Sequence, residues 1–311
     1  MLTIRLTCPV HTLDKQLLLS ENSQISTKTI DTLISSNRQK FYKTYFLSEH
    51  GSVKVDLINF LYESNYKVIF ADQKNTAKVL SILEEVHLIS PILESLDYFK
   101  NYDFYTYKHI LRVFALSTLI SLNLLTNWKD LFKEFSSGPA HDFGKICVPL
   151  DILQKTAPLT RKERYILEHH TLAGYVLLGY YYRDKHNFNA KVARDHHERK
   201  NSSGYPRGIK LRDRLVEIVA VSDIYDALIS PRPYRPISFD NRSALEEITT
   251  MAEKKQLSWK VVQALVALNR KSKPQFSVCK VSQEKRGSPP PKNNYGVIIE
   301  SENNYFRENY K

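Results

Sequence analysis

The residues of this chain best suited to chemistry are its histidines. There are ten in 311 residues, and seven of them (His109, His141, His169, His170, His186, His196 and His197) fall within 89 residues. His141 is followed by Asp142, His196-His197 by Glu198, and Asp223 lies a little further on. Imidazole nitrogen and carboxylate oxygen suit Fe, Mn, Zn or Ni. None of the three cysteines joins these clusters, so a structural zinc finger is not expected. A lone histidine on a helix is usually a packed or solvated residue, and a His-Asp dipeptide is commonplace. The order is more telling. Ligand-type residues arrive at 109, 141–142, 170, 196–197 and 223, at intervals of 32, 28, 26 and 26 residues. Each interval is about one helix plus one connection, so successive helices of a bundle would each bring a ligand group to a shared centre.

The elements that must do this are legible as helices. Tyr105 through Leu125 is long, apolar-rich and free of Gly and Pro. Leu159 to Tyr182 is another such run, entered through Thr160 with Glu163 three residues later, which predicts a capping box. Asp213 to Ile229 gives a third, and Ser243 to Leu268 one or two more. Ser136-Ser137-Gly138-Pro139 interrupts the stretch before His141, and a helix is expected to restart at Pro139. Before residue 96 the pattern is mixed. Val53 to Ile58 and Tyr66 to Phe70 read as strands or short helices, and Thr76 to Ile89 as a helix. The expected fold is therefore mainly α, a helical bundle preceded by a small α or α+β domain. The boundaries are placed at 1–97, 98–271 and a tail at 272–311. The tail contains the breaker-rich run Lys285 to Asn294 and is expected to be poorly ordered.

Composition sets the class. Apolar residues make up 42% and charged residues 25%, as in ordinary globular proteins, which excludes wholesale disorder and collagen-like repeats. No apolar stretch is long enough to span a membrane, and the N-terminus lacks a secretory layout. Cys8, Cys147 and Cys279 are odd in number and far apart, which fits free thiols and a cytoplasmic location. The net charge is +12. Residues 1–100 are balanced, whereas residues 101–271 carry 27 basic and 18 acidic side chains. That excess favours an anionic ligand. No nucleic-acid-binding motif accompanies it, so nucleic acid is not an expected partner.

From about residue 98 to 268 the chain resembles the HD-GYP branch of the HD metal-dependent phosphohydrolases. His109 follows Tyr105-Thr106-Tyr107-Lys108, as in the first family helix. His141-Asp142-Phe143-Gly144-Lys145 matches the His-Asp-x-Gly-Lys signature. His170-Thr171-Leu172-Ala173-Gly174 matches the His-x-x-x-Gly helix. His196-His197-Glu198 with Gly204-Tyr205-Pro206 matches the element that names the branch, and Asp223 to Leu228 and Arg232-Pro233-Tyr234-Arg235 complete the set.

The resemblance implies two divalent transition-metal ions, most often iron or manganese. One would be held by His109, His141 and Asp223, the other by His170, His196 and His197, with Asp142 bridging them. Where some relatives place a Glu for a third ion, this chain has Tyr105, a poor ligand, so two ions are expected. The implied activity is hydrolysis of cyclic di-GMP to pGpG, and in some members on to GMP, through attack by a hydroxide that bridges the ions. Lys145 would clamp a phosphate oxygen or help protonate the leaving oxygen. Tyr205, Arg232 and Arg235 would hold the dinucleotide. The N-terminal domain is expected to regulate the enzyme, or to dock a protein partner or a second copy.

The loop before Gly204 departs from the family's Asp-Gly-x-Gly-Tyr-Pro. It reads Asn201-Ser202-Ser203-Gly204-Tyr205-Pro206, and a left-handed Ser202 would cost roughly 1 kcal/mol. Arg235 replaces the usual lysine and changes the hydrogen-bond geometry there. These departures spare every implied metal ligand but leave room for reduced activity. They support a second reading, a sensor or interaction module that binds cyclic di-GMP without turnover. A third reading keeps the enzyme but changes the cyclic nucleotide.

Overall fold

The computed structural model describes residues 4–39, 41–232, 237–282 and 284–290. Its first part carries three two-stranded antiparallel ribbons. Ile4–Arg5 pairs with Gln24–Ile25, Val10–His11 with Leu17–Leu19, and Thr44–Phe46 with His87–Ile89. Four helices lie among them: α1 (Thr27–Ser36), α2 (Val53–Leu61), α3 (Lys67–Phe70) and α4 (Gln73–Glu85). The Ser26 and Asp72 side chains accept from the backbone N–H groups of Thr29 and Lys74, which satisfies orphan donors at the starts of α1 and α4.

Ten further helices complete the described fold: α5 (Ser90–Tyr102), α6 (Phe104–Leu124), α7 (Trp128–Ser137), α8 (Leu150–Leu153), α9 (Arg161–Glu168), α10 (His170–Tyr182), α11 (Phe188–Asp195), α12 (Arg214–Ile229), α13 (Asn241–Glu253) and α14 (Trp259–Asn269). α6 and α12 are buried over most of their length and pack on each other. A helix that is apolar all round belongs in the middle of a bundle, and this pair forms its axis. One apolar core, with Tyr66, Phe70, Phe99, Tyr107, Phe114 and Tyr225 among its largest members, runs from Leu6 to Cys279.

The architecture is the mainly helical one read from the sequence. Val53 to Ile58 and Tyr66 to Phe70 are helical, and the helix begun near Thr76 stops at Glu85 so that His87–Ile89 can pair as a strand. The Leu159 to Tyr182 segment is two helices, with the Thr160/Glu163 capping box at its start and a break at His169. The stretch around Pro139 is a short 3-10 turn, Gly138–Ala140, rather than a new α-helix. The described part of the tail returns over α13, where the Glu246 carboxylate accepts from the backbone N–H groups of Arg286 and Gly287. Residues 291–311 lie outside the described residues.

Glu134, on α7, is fully buried and neither carboxylate oxygen has a hydrogen-bond partner. Burial, reinforced by Asp213 and opposed by the nearby Ser117 hydroxyl, holds this carboxyl well above its ordinary value of 4.5. The folded state therefore keeps a proton that the unfolded chain releases, and the resulting penalty grows as pH rises above 4.5. Glu134→Met is expected to stabilise the protein by about 1–3 kcal/mol at pH 8, with a smaller gain at pH 5. Urea unfolding at the two pH values checks this, and a gain independent of pH would contradict it.

Candidate metal centre

Five elements converge on one buried spot. α6 supplies His109. His141 and Asp142 follow the Gly138–Ala140 turn, and the next 3-10 turn, Phe143–Cys147, carries Lys145. α10 opens with His170. His196 caps the C-terminus of α11, with His197 next to it, and α12 supplies Asp223. Two glycines let these elements approach. A Cβ at Gly144 would lie 1.9 Å from the His170 carbonyl oxygen and 2.4 Å from the Gly174 nitrogen, so only glycine allows the Lys145 turn to rest directly on the start of α10. A Cβ at Gly204 would meet the His197 carbonyl oxygen at 2.2 Å, which fixes the following loop against the histidine pair.

The side chains form three groups whose candidate ligand atoms lie within 4.8 Å of one another: His109, His141 and Asp223; His170, His196 and His197; and His141, Asp142 and His196, which links the first two. Asp142, only 1% exposed, faces both of the first two. Its Oδ2 is 3.5 Å from His109 Nε2 and 3.4 Å from His141 Nε2, whereas its Oδ1 is 3.5 Å from His170 Nε2 and 3.9 Å from His196 Nε2. His109 Nε2 also lies 3.2 Å from Asp223 Oδ1.

Hydrogen bonds to the far side of each ring decide which nitrogen faces inward. The Nδ1–H of His109 donates to Asp226 Oδ2 at 2.5 Å, that of His141 to the Gly138 carbonyl at 2.7 Å, and that of His170 to the Leu167 carbonyl at 2.7 Å. The Nδ1–H of His196 donates to the Val192 and Ala193 carbonyls, both at 3.0 Å. Nε2 is left pointing at the centre in all four, the nitrogen through which such a ring can ligate a cation. His141 Nε2 is buried without a hydrogen-bond partner. Burial, then the Asp142 and Lys145 charges acting in opposite senses, leaves the His170 imidazole at about 4. Burial with His141 and His170 pushes His196 to about 3. Both rings are therefore neutral at pH 7. Burial works against the Asp142 charge, yet Lys145 and His141 hold its carboxyl well below the usual range. Burial opposes charge on His109, yet its bonds to Asp223 and Asp226 push that ring up to about 9, so a cation there would have to displace a proton. Neutral His170 and His196 beside ionised carboxylates are a donor set that fits divalent transition metals.

The remaining expected site residues surround this centre. Lys145 Nζ donates to Asp142 Oδ2 at 2.6 Å. The Tyr205 ring stacks on His197, with centroids 4.6 Å apart. The Arg232 guanidinium lies over the Tyr105 ring at 5.2 Å, and Tyr105 in turn stacks on His109 at 5.9 Å. Arg235 lies outside the described residues. Sequence reasoning gave no role to two buried acids. Asp226 orients His109, and its position one turn after Asp223 on α12 was the available signal. Glu198 accepts from the backbone N–H groups of Arg207 and Ile209 at 2.8 and 3.0 Å, anchoring the loop that carries Tyr205.

Ser202 is left-handed at φ +66°, and Asn201 Oδ1 accepts from the Ser203 N–H and hydroxyl beside it. Relieving that conformation with Ser202→Gly is expected to raise stability by about 1 kcal/mol. A thermal melt checks it, and an unchanged or lower midpoint would count against the assignment.

A family model for the HD domain matches residues 97–257, which cover α6 through α12 and every proposed ligand. The chain is 33% identical over 221 residues to a protein of Thermotoga maritima named cyclic di-GMP phosphodiesterase, covering 68% of this chain and 58% of the relative. It is 30% identical over 133 residues to a Vibrio cholerae protein named 3′3′-cGAMP-specific phosphodiesterase 1, covering 42% of this chain and 30% of the relative. Among solved structures it is similar to Bd1817 of Bdellovibrio bacteriovorus, described as an HDG"Y"P protein. That match has a TM-score of 0.45 and 17% identity over 86% of this chain and 94% of the other. With the family match covering more than half its length, the chain belongs to the HD domain family. The chain spans less than two thirds of the length of the curated relatives it matches. Among the described residues no helix is long and apolar enough to cross a membrane.

Proposed function

We propose that this protein is a metal-dependent phosphodiesterase that hydrolyses cyclic di-GMP to pGpG. The observation that carries the reading is the placement of Asp142, with one carboxylate oxygen toward each triad of ligand atoms. In this reading His109, His141 and Asp223 hold one divalent ion, His170, His196 and His197 hold the other, and Asp142 bridges them. Iron or manganese suits this nitrogen-rich set. When bound, such a pair supplies Lewis acidity toward the phosphoryl oxygens and a water acidic enough to attack at neutral pH.

The chain's own groups do the rest. Lys145 sits beside Asp142, placed to neutralise a nonbridging phosphate oxygen and to protonate the departing 3′-oxygen as the P–O3′ bond breaks. Water adds to phosphorus, the 3′-oxygen leaves as a hydroxyl, and a 5′-phosphate remains. Tyr205, stacked on His197, offers a ring edge to a guanine at the rim. Arg232 and Arg235 bring guanidinium forks for the second phosphate. The basic excess of residues 101–271 favours the approach of a doubly anionic ligand. The same reading assigns the chemistry to residues 98–271 and regulation to residues 1–97, through a protein partner or a second copy. It makes residues 272–311 a basic tail and places the protein in the cytoplasm.

The test is turnover by full-length protein loaded anaerobically with iron or manganese, with cyclic di-GMP and 3′3′-cGAMP as parallel substrates. Conversion of cyclic di-GMP to pGpG is expected. Binding without any product would replace the enzyme with a sensor, and preference for 3′3′-cGAMP would change the substrate.

A further inference from the structure

The support of His109 does not come from the bundle alone. Asp226, fully buried on α12, takes the His109 Nδ1–H on Oδ2. On its other oxygen it accepts the Ser230 hydroxyl at 2.9 Å and the phenol hydroxyl of Tyr66. Tyr66 is itself fully buried, and it precedes α3, well outside the HD domain match. Arg112, on α6, lies 3.8 Å from the same Asp226 oxygen, donates to Ser230 Oγ at 2.9 Å, and rests over the Tyr66 ring at 4.6 Å. Its outer nitrogen donates to Glu63 at 2.5 Å. Nearby, Asn65 donates to the Ile229 carbonyl at the end of α12. Residues 63–66 therefore clamp the carboxylate that sets the orientation and basicity of a proposed metal ligand.

We infer that Tyr66 is a positioning residue, assisted by Glu63 through Arg112, by which the N-terminal region sets the metal affinity of the His109 half of the site. The inference rests on the metal-site reading of the preceding subsection. Its physical basis is that a ligating imidazole is only as well placed as the group behind it. Asp226 has two oxygens to satisfy in a buried setting, and removing the Tyr66 donor leaves one of them short, so the carboxylate is free to turn away from His109. The effect falls on one ion, because His170, His196 and the bonds behind them belong to other elements.

The experiment is equilibrium dialysis of Mn²⁺ against the full chain, with bound metal counted by elemental analysis. The wild type is expected to bind two ions. Tyr66→Phe, which removes only the hydroxyl, is expected to weaken one of them by about tenfold and leave the other unchanged. Asp226→Asn should weaken that same ion by up to about 100-fold. Glu63→Gln, on a half-exposed side chain that tolerates change, should act in the same direction and serves if Tyr66→Phe folds poorly. Two unchanged affinities in the Tyr66 and Glu63 variants overturn the inference. So does an equal loss at both ions, the mark of general loosening. A wild type that binds two ions yet hydrolyses no cyclic dinucleotide removes the proposed activity and leaves this inference standing. A wild type that binds no Mn²⁺ removes both.

Discussion

Asp142→Ala is expected to lower turnover of cyclic di-GMP by at least about 1000-fold. Asp142 addresses two rings of one triad with Oδ2 and two of the other with Oδ1, whereas Asp223, itself a member of the first triad, reaches only His197 of the second, at 3.8 Å. In the proposed site, removing Asp142 would take away the shared anion that would offset two cations held close together. It also strips Lys145 of its 2.6 Å partner, leaving that ammonium free to turn from the position a phosphate oxygen needs. The loss should appear in kcat rather than as a change of fold, because the four imidazoles keep their own Nδ1 bonds. Circular dichroism and metal content belong beside the rate measurement. Turnover near the parent rate with both ions still bound would falsify the bridging role.

The second large effect is structural. Gly144→Ala is expected to destabilise the protein by about 3 kcal/mol and to lower its metal content. The new methyl would be set 1.9 Å from one backbone atom and 2.4 Å from another, and neither can give way as a flexible side chain could. The Asp142-Lys145 turn and the start of α10 would have to separate. That moves Asp142 Oδ1 away from His170, from which it now stands 3.5 Å. Thermal unfolding together with metal analysis reads both consequences. An unshifted melting midpoint with two ions bound would show that the contact is dispensable.

The sequence was most informative where chemistry repeats along the chain. The intervals between His109, His141, His170, His196 and Asp223 already implied one helix per ligand group, and α6, α10, the C-terminal end of α11 and α12 supply four of them in that order, whereas His141 and Asp142 lie between two 3-10 turns and not on a helix. The capping box at Thr160 and Glu163 was equally legible, because its two bonds are local. Local signals failed where a distant partner decides the outcome. Val53 to Ile58 and Tyr66 to Phe70 are short apolar runs whose period fits either structure, and packing in the shared core makes them helices. The break at His169 has no Gly or Pro to announce it. It starts a new helix at His170, whose Nδ1 then reaches back to the Leu167 carbonyl. The roles of Tyr66, Asp226 and Glu198 were hidden for the same reason. Each acts through a partner elsewhere in the fold, and only Asp226, one turn after Asp223, carried a signal in its spacing.

Glu198 separates two design problems that most catalytic clefts entangle. Its carboxylate holds the far end of the 199–209 excursion at Arg207 and Ile209, and the backbone bridge of Arg199 to Lys210 closes the near end, so the loop is anchored independently of the side chains at 201–203. Those three exposed positions are therefore ones at which the side chain can vary without unfastening the loop that carries Tyr205.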